Sequence, residues 1–214
     1  MIADLSAAKA GGLWVNSNPL VLASGSATRR MLLESAGVAV RVHASDVDER
    51  IGESGWQCAG ESHSRLSLYL ALVKASAVSA ASPDQLVLGA DQTLACEGQV
   101  YSKPLSKEDA ARQLRTLAGR THVLTSSAVI ICNGSVLFET SEQAFMSVRH
   151  FSDEFLDTYI DIAGTAVLES VGAYQIEGLG IHLFERVVGD HATILGLPLL
   201  SLLTYFRSSG AIKA

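Results

Sequence analysis

Four stretches of the chain carry residue types that can do chemistry. Ser24-Gly25-Ser26-Ala27-Thr28-Arg29-Arg30 joins a short apolar run to a helical pattern. Small residues there let backbone N–H groups approach an anion, and the helix start adds positive potential. Hydroxyls and a guanidinium would complete a phosphate cradle; the same residues also fit an ordinary serine N-cap with exposed arginines. Asp91 ends the apolar run Leu86-Val87-Leu88-Gly89-Ala90, where an α/β sheet opens into its ligand crevice. Its carboxylate suits a divalent ion or the removal of a proton from water, and equally suits a turn in which Asp caps its own backbone. Asp46, Asp48 and Glu49 form an acidic cluster in which, if extended, the two aspartates share one face and Glu49 takes the other. Lys74 sits one position past Val73 on an apolar helix stripe, and Lys103 precedes Pro104. Each lysine taken alone reads as a snorkelling surface residue.

Other chemistries find no support. No GxxxxGK[ST] loop or GxSxG elbow occurs. The six histidines, at 43, 63, 122, 150, 182 and 191, form no HxH or HxxxH pair, so core or surface roles outweigh metal ligation. Cys58, Cys96 and Cys132 are odd in number and lack CxxC spacing, which fits free thiols in a reducing cytosol. With 16 basic and 22 acidic residues the net charge is −6, which argues against broad binding of nucleic acid. Of the 214 residues, 48% are apolar and 18% charged, the profile of a globular chain able to bury its own core. Residues 1–18 hold no long apolar segment of the signal-peptide kind, and the most apolar tract, 191–206, is short and broken by Gly196 and Pro198. No membrane span is expected.

The elements that must position these residues alternate in type. An apolar strand at 20–23 leads to a helix over 28–36 stopped by Gly37, then a strand at 38–42 with Val38, Val40 and Val42 on one face. A Gly/Ser-rich loop through 61 precedes a helix at 64–80, on which Leu66, Leu70, Val73 and Ala77 recur. A strand at 86–91 ends in Asp91, and 94–101 reads as a hairpin turning at Glu97-Gly98. Ser106 with Asp109 begins a helix that Gly119 stops. Long strands at 123–132 and 135–148 meet at Asn133-Gly134, a strong hairpin signal. Ser152 opens a helix to about 162, and Gly-rich turns, a strand at 183–188 and a helix at 198–206 finish the chain. Tyr69 and Phe206 read as packing residues. Residues 1–18 read as a loose extension and 19–214 as a single α/β domain with a mixed sheet.

Taken together, LASGSATRRMLLESAG, SDVDER, LALVKA, VLGADQTL, SKP, LAGRTHVLTSSAVI and VGAYQIEGLGIHLFERVVGDHATILGLPLL resemble the Maf family of nucleoside triphosphate pyrophosphatases, in the family's order across residues 20–205. The resemblance implies a Maf/ITPase-like fold: an elongated, twisted mixed sheet flanked by helices, with two lobes around a deep nucleotide cleft. It implies hydrolysis of a nucleotide to monophosphate and diphosphate with Mg²⁺ or Mn²⁺, and a homodimer is a family expectation; the cytoplasmic location rests on the cysteine usage above. Carried over residue by residue, Asp91 matches the catalytic acid and Glu49 the second acid, both as metal ligands. Lys74 and Lys103 match the two lysines, and Ser24, Ser26 and Arg29 the phosphate-binding turn. Arg30, beside Arg29 on the helix, points elsewhere and reads as a surface or dimer residue.

Three positions depart from the usual pattern, at Thr28, Gln92 and Glu177, and the resemblance assigns them to base choice. Gln92 with Glu177 is closest to the branch acting on 7-methyl-GTP. Guanine presents adjacent N1–H and N2–H donors that a carboxylate accepts as a pair, and N7 methylation adds positive charge. Thr28 is small and stacks poorly on a purine, which leaves dTTP, UTP or a broad preference as alternatives. A cell-division regulator acting through a binding partner and a nucleotide sensor without turnover are further alternatives, and the combination of Asp91, Glu49, Lys74 and Lys103 favours catalysis over both.

Overall fold

The computed structural model describes residues 12–47 and 65–213. The expectations at Asp48, Glu49, Cys58, His63, the 52–61 loop and residues 1–11 lie outside the described residues. In chain order the elements are β1 (Leu20–Leu22), α1 (Ala27–Ser35), β2 (Val40–Val42), α2 (Leu66–Ser79), β3 (Val87–Cys96), β4 (Gln99–Tyr101), α3 (Lys107–Leu117), β5 (Thr121–Cys132), β6 (Ser135–Val148), α4 (Asp153–Ala163), β7 (Phe184–Val188), α5 (His191–Ile194) and α6 (Leu199–Ser208).

Local chemistry sets most of these boundaries. Ser26, Ser106, Ser152 and Asp190 each cap a helix by accepting from the backbone N–H three residues on. Asn133 and Gly134 both take positive φ, as a tight hairpin with the sheet's twist requires. Residues 164–183, read as Gly-rich turns, wind through three short 3₁₀ segments.

The seven strands form one mixed sheet in the order β2-β1-β3-β5-β6-β7, with β4 attached to β3. β1 runs parallel to both β2 and β3, and every other pairing is antiparallel. Helices flank it, and the apolar core divides. Leu20, Leu22, Leu88, Ile130 and Phe206 lie on one face of the sheet's first half, and Val21, Val87 and Val129 on the other, beneath Ala71 and Ala75 of α2. A separate cluster gathers Leu94, Leu114, Leu124, Met146, Leu156 and Tyr174 at the far end. Two lobes with their own cores result.

Three readings are corrected. Asp91 does not end its strand: β3 runs unbroken from Val87 to Cys96, because β5 accompanies it on one edge throughout. The face predicted for the 38–42 strand fades along its length, from Val38 at 2% exposed to Val42 at 42%, because β2 is an edge strand. Residues 12–18 are not loose: Val15 N donates to Ala211 O, Lys213 N donates to Leu13 O, and the Trp14 ring packs edge-on against buried Phe206. Among the described residues no helix is long and apolar enough to cross a membrane.

Candidate active site

A gap in strand pairing creates the site. β1 accompanies β3 only to the pair Leu22–Leu88, and β4 joins the same edge only at Leu94–Tyr101. Between them, residues 89–93 have no strand neighbour on that edge among the described residues. A cleft of about 550 Å³ opens there between the two lobes, within the size range of small-molecule sites. Strand alternation sends Asp91 to the face beneath α2 and Gln92 to the opposite face. Both line the cleft because it opens on the edge they share.

The first lobe supplies the turn at residues 24–29. Ser24 Oγ accepts from Ser26 N at 3.3 Å, and Ser26 Oγ caps α1 by accepting from Arg29 N at 3.3 Å. The Arg29 guanidinium folds back over this turn. Its Nη1 donates to Ser24 Oγ at 3.0 Å and its Nε to Gly196 O at 2.8 Å. Gly196 has φ +97, a backbone conformation that favours glycine, and it is this turn that presents its carbonyl to Arg29. Thr28 lines the cleft beside it. Arg30 instead pairs along the exposed helix surface with Glu34 at 2.7 Å, as expected of a residue turned away.

Lys74 Nζ donates to Asp91 Oδ1, and both residues are 5% exposed. The snorkelling reading of Lys74 is therefore corrected: α2 lies against β3, so the lysine points at the sheet. Gly89 makes this approach possible, since a Cβ there would lie 2.0 Å from Ala71 O and 2.8 Å from Ala75 N. Around the pair, Ser67 of α2, Ser127 of β5 and Ser141 of β6 join hydroxyls at 2.7 Å each. Lys103, exposed, enters the cleft from the segment after β4. Ser45 and Val47 face the cleft, whereas Asp46 is exposed and outside its lining.

The second lobe forms the opposite wall. Glu177 stands in the turn closed by Gly178 N donating to Gln175 O at 3.2 Å. Gln175 Nε2 donates to Glu169 Oε2 at 3.3 Å, so two carboxylates border this side. The Tyr174 ring also lines the wall, and its hydroxyl meets His122 Nε2 at 2.7 Å behind it. His122 is fully buried, and burial lowers its imidazole from 6.5 to about 4. It is neutral near pH 7, a buried partner for the phenol rather than a metal ligand.

Gln92 Nε2 donates to Thr193 O at 3.1 Å, Ile194 O at 3.0 Å and Ser126 Oγ at 3.1 Å. Carbonyl acceptors require the NH₂ group to point this way. The carboxamide oxygen is the polar atom left for a ligand.

The cleft thus gathers Ser24, Ser26, Thr28, Arg29, Lys74, Asp91, Gln92, Lys103 and Glu177, while Glu49 lies outside the described residues. Sequence reasoning missed Tyr174, Glu169 and the carbonyls of 193–196. The available signal was Asp190, an N-cap residue following Gly189 and opening a very short apolar run that Gly196 ends. Mg²⁺ and Mn²⁺ are hard cations, and Mg²⁺ is commonly held by one or two carboxylates together with substrate phosphates. Asp91 in a cleft that also holds Arg29, Lys74 and Lys103 fits that mode. Among the described residues no group of three or more His, Cys, Asp or Glu forms an all-protein cage.

The chain is similar to known proteins over most of its length. The chain is 49% identical over 203 residues to a nucleoside triphosphate pyrophosphatase of Bradyrhizobium diazoefficiens, covering 94% of this chain and 98% of the relative. A protein of the same name from Nitrobacter winogradskyi is 47% identical over 198 residues, with 92% and 96% covered. A 7-methyl-GTP pyrophosphatase of Rhizobium johnstonii is 45% identical over 193 residues, with 90% and 97% covered. The family model described as Maf-like protein matches residues 19–209; the chain belongs to the Maf family.

Proposed function

We propose that this chain hydrolyses nucleoside triphosphates to the monophosphate and diphosphate, with 7-methyl-GTP as the favoured substrate. The observation that carries the reading is the convergence of Arg29, Lys74, Asp91 and Lys103, distant in sequence, on one cleft. The turn at 24–29 binds phosphate oxygens through Arg29 and small-residue backbone, and Lys103 adds positive charge along the triphosphate. Asp91 orients water and takes its proton as the water oxygen bonds to the α-phosphorus and the bond to the leaving diphosphate breaks. Lys74 holds that carboxylate in place. Asp91, together with Glu49, would hold the divalent cation. When bound, the cation neutralises charge on the phosphoryl oxygens.

Base preference follows from the acceptors of the second lobe. The Gln92 oxygen and the Glu177 carboxylate both seek donors, which the guanine N1–H and N2–H edge supplies, and a cationic 7-methyl base further favours Glu177. The free thiols Cys96 and Cys132 fit a reducing cytoplasm. The test is a panel of triphosphates with Mg²⁺, scored for diphosphate. Glu177→Gln is expected to lower the 7-methyl-GTP to UTP ratio of kcat/KM by about tenfold, the scale of one charge-assisted hydrogen bond. An unchanged ratio refutes the base assignment.

A further inference from the structure

Gln92 of β3, Ser126 of β5 and Glu142 of β6 are successive cross-strand neighbours, forming a polar row across one face of the sheet. The 190–196 turn docks on that row through Thr193, which is fully buried. Thr193 O accepts from Ser126 Oγ at 2.7 Å and from Gln92 Nε2 at 3.1 Å. Its hydroxyl shares one proton between Glu142 Oε2 at 3.2 Å and Asp190 Oδ2 at 3.3 Å. Asp190 Oδ2 also accepts from Thr193 N at 2.9 Å, and Ser201 Oγ donates to the second oxygen of Glu142. Past this four-residue helix the carbonyls of His191, Ala192 and Thr193 accept from the N–H groups of Leu195, Leu197 and Gly196. The carbonyl of Ile194 accepts from the Gln92 amide, and Arg29 holds the carbonyl of Gly196 just beyond.

We propose that Thr193 is a positioning residue that sets base selectivity, because its anchored hydroxyl holds the carbonyls that fix which end of the Gln92 carboxamide faces the cleft. Turned as it is, Gln92 offers a ligand its acceptor oxygen. With the turn released, the carboxamide is free to rotate half a turn about its last torsion and offer its NH₂ donor instead. An acceptor selects bases with ring N–H and exocyclic amine donors, whereas a donor selects bases edged by carbonyls. This rests on the reading that Gln92 contacts the base.

The test compares wild type, Thr193→Val, which keeps the shape and loses the hydroxyl, and Thr193→Ser, which restores the hydroxyl. Steady-state kcat and KM are measured for 7-methyl-GTP and UTP, and solvent exchange of the Gln92 side-chain NH₂ is followed by ¹H–¹⁵N NMR. Thr193→Val is expected to move the kcat/KM ratio toward UTP by about fivefold, the scale of one hydrogen bond, mainly through KM. It should speed exchange of the Gln92 NH₂, while Thr193→Ser stays within about twofold of wild type in both readouts. An unmoved exchange rate in Thr193→Val, or equal damage from serine, overturns the proposal. Exchange in the wild type as fast as in free glutamine overturns it without any variant. Gln92→Ala separates the two claims: an unmoved substrate ratio there sinks the base contact and with it the selectivity role, while the exchange rates still decide whether Thr193 holds the amide.

Discussion

Replacing Asp91 by asparagine separates what the carboxylate does for stability from what it does for catalysis. Lys74 and Asp91 are each 5% exposed, so the substitution leaves a buried ammonium without its paired carboxylate. Breaking a buried pair from one side costs about 3–5 kcal/mol, whereas replacing both partners by neutral groups of similar volume is often close to neutral. For a domain of this size, about 2–4 °C per kcal/mol converts that to a fall in Tm of roughly 6–20 °C. Asp91→Asn with Lys74→Met is expected to return to within about 1 kcal/mol of wild type. Turnover should not return: on the proposed mechanism both variants lack the proton acceptor, and kcat should drop by about 100-fold or more. Calorimetry and urea unfolding read the first effect, and diphosphate release at saturating substrate reads the second. A single variant as stable as wild type would show that the pair is not a buried one. Recovery of turnover in the double variant would remove Asp91 from the chemistry.

Two further perturbations probe the scaffold. His122 titrates at about 4 in the folded chain against 6.5 ordinarily. Below pH 6.5 the unfolded chain therefore takes up a proton that the folded chain refuses, and stability falls with pH down to about 4. The loss is about 2 kcal/mol between pH 6.5 and 5 and about 3 kcal/mol over the whole window; His122→Gln should flatten the acid slope of urea unfolding by that amount, and equal slopes would contradict the burial argument. Gly89→Ala places a methyl against the α2 backbone. Overpacking of this kind costs about 1–3 kcal/mol, and because α2 carries Lys74, kcat should fall together with the melting midpoint. A drop in stability with full activity would separate the helix position from the site.

Local signals foretold much of this fold. The capping serines at 26, 106 and 152 and the Asn133-Gly134 turn each act over a few residues, and each element appears where its signal lies. The stripe at Leu66, Leu70, Val73 and Ala77 located its helix but not the buried face: Val73 is half-buried and Ala77 exposed, while Lys74 and Val78 are buried with Leu66 and Leu70. The placement of Asp91 within β3 was not legible, because it depends on where β1 and β4 stop along a neighbouring strand. Lys74 misled for a similar reason. A lysine beside an apolar stripe shows whether it is buried only once the helix has met a sheet, and Gly89, which lets that meeting be so close, reads in sequence as one more small residue. The residues that meet in the cleft were singled out through ordered motifs spread over the chain. Their supports, Gly196 for Arg29 and Thr193 for Gln92, lie more than 100 positions away from the groups they hold, beyond the reach of any periodicity.

The most direct measurement is hydrolysis of 7-methyl-GTP in ¹⁸O-labelled water, followed by ³¹P NMR. Attack at the α-phosphorus within this cleft places one ¹⁸O in the nucleoside monophosphate and leaves the diphosphate unlabelled. Label in the diphosphate, or release of orthophosphate in its place, would contradict it.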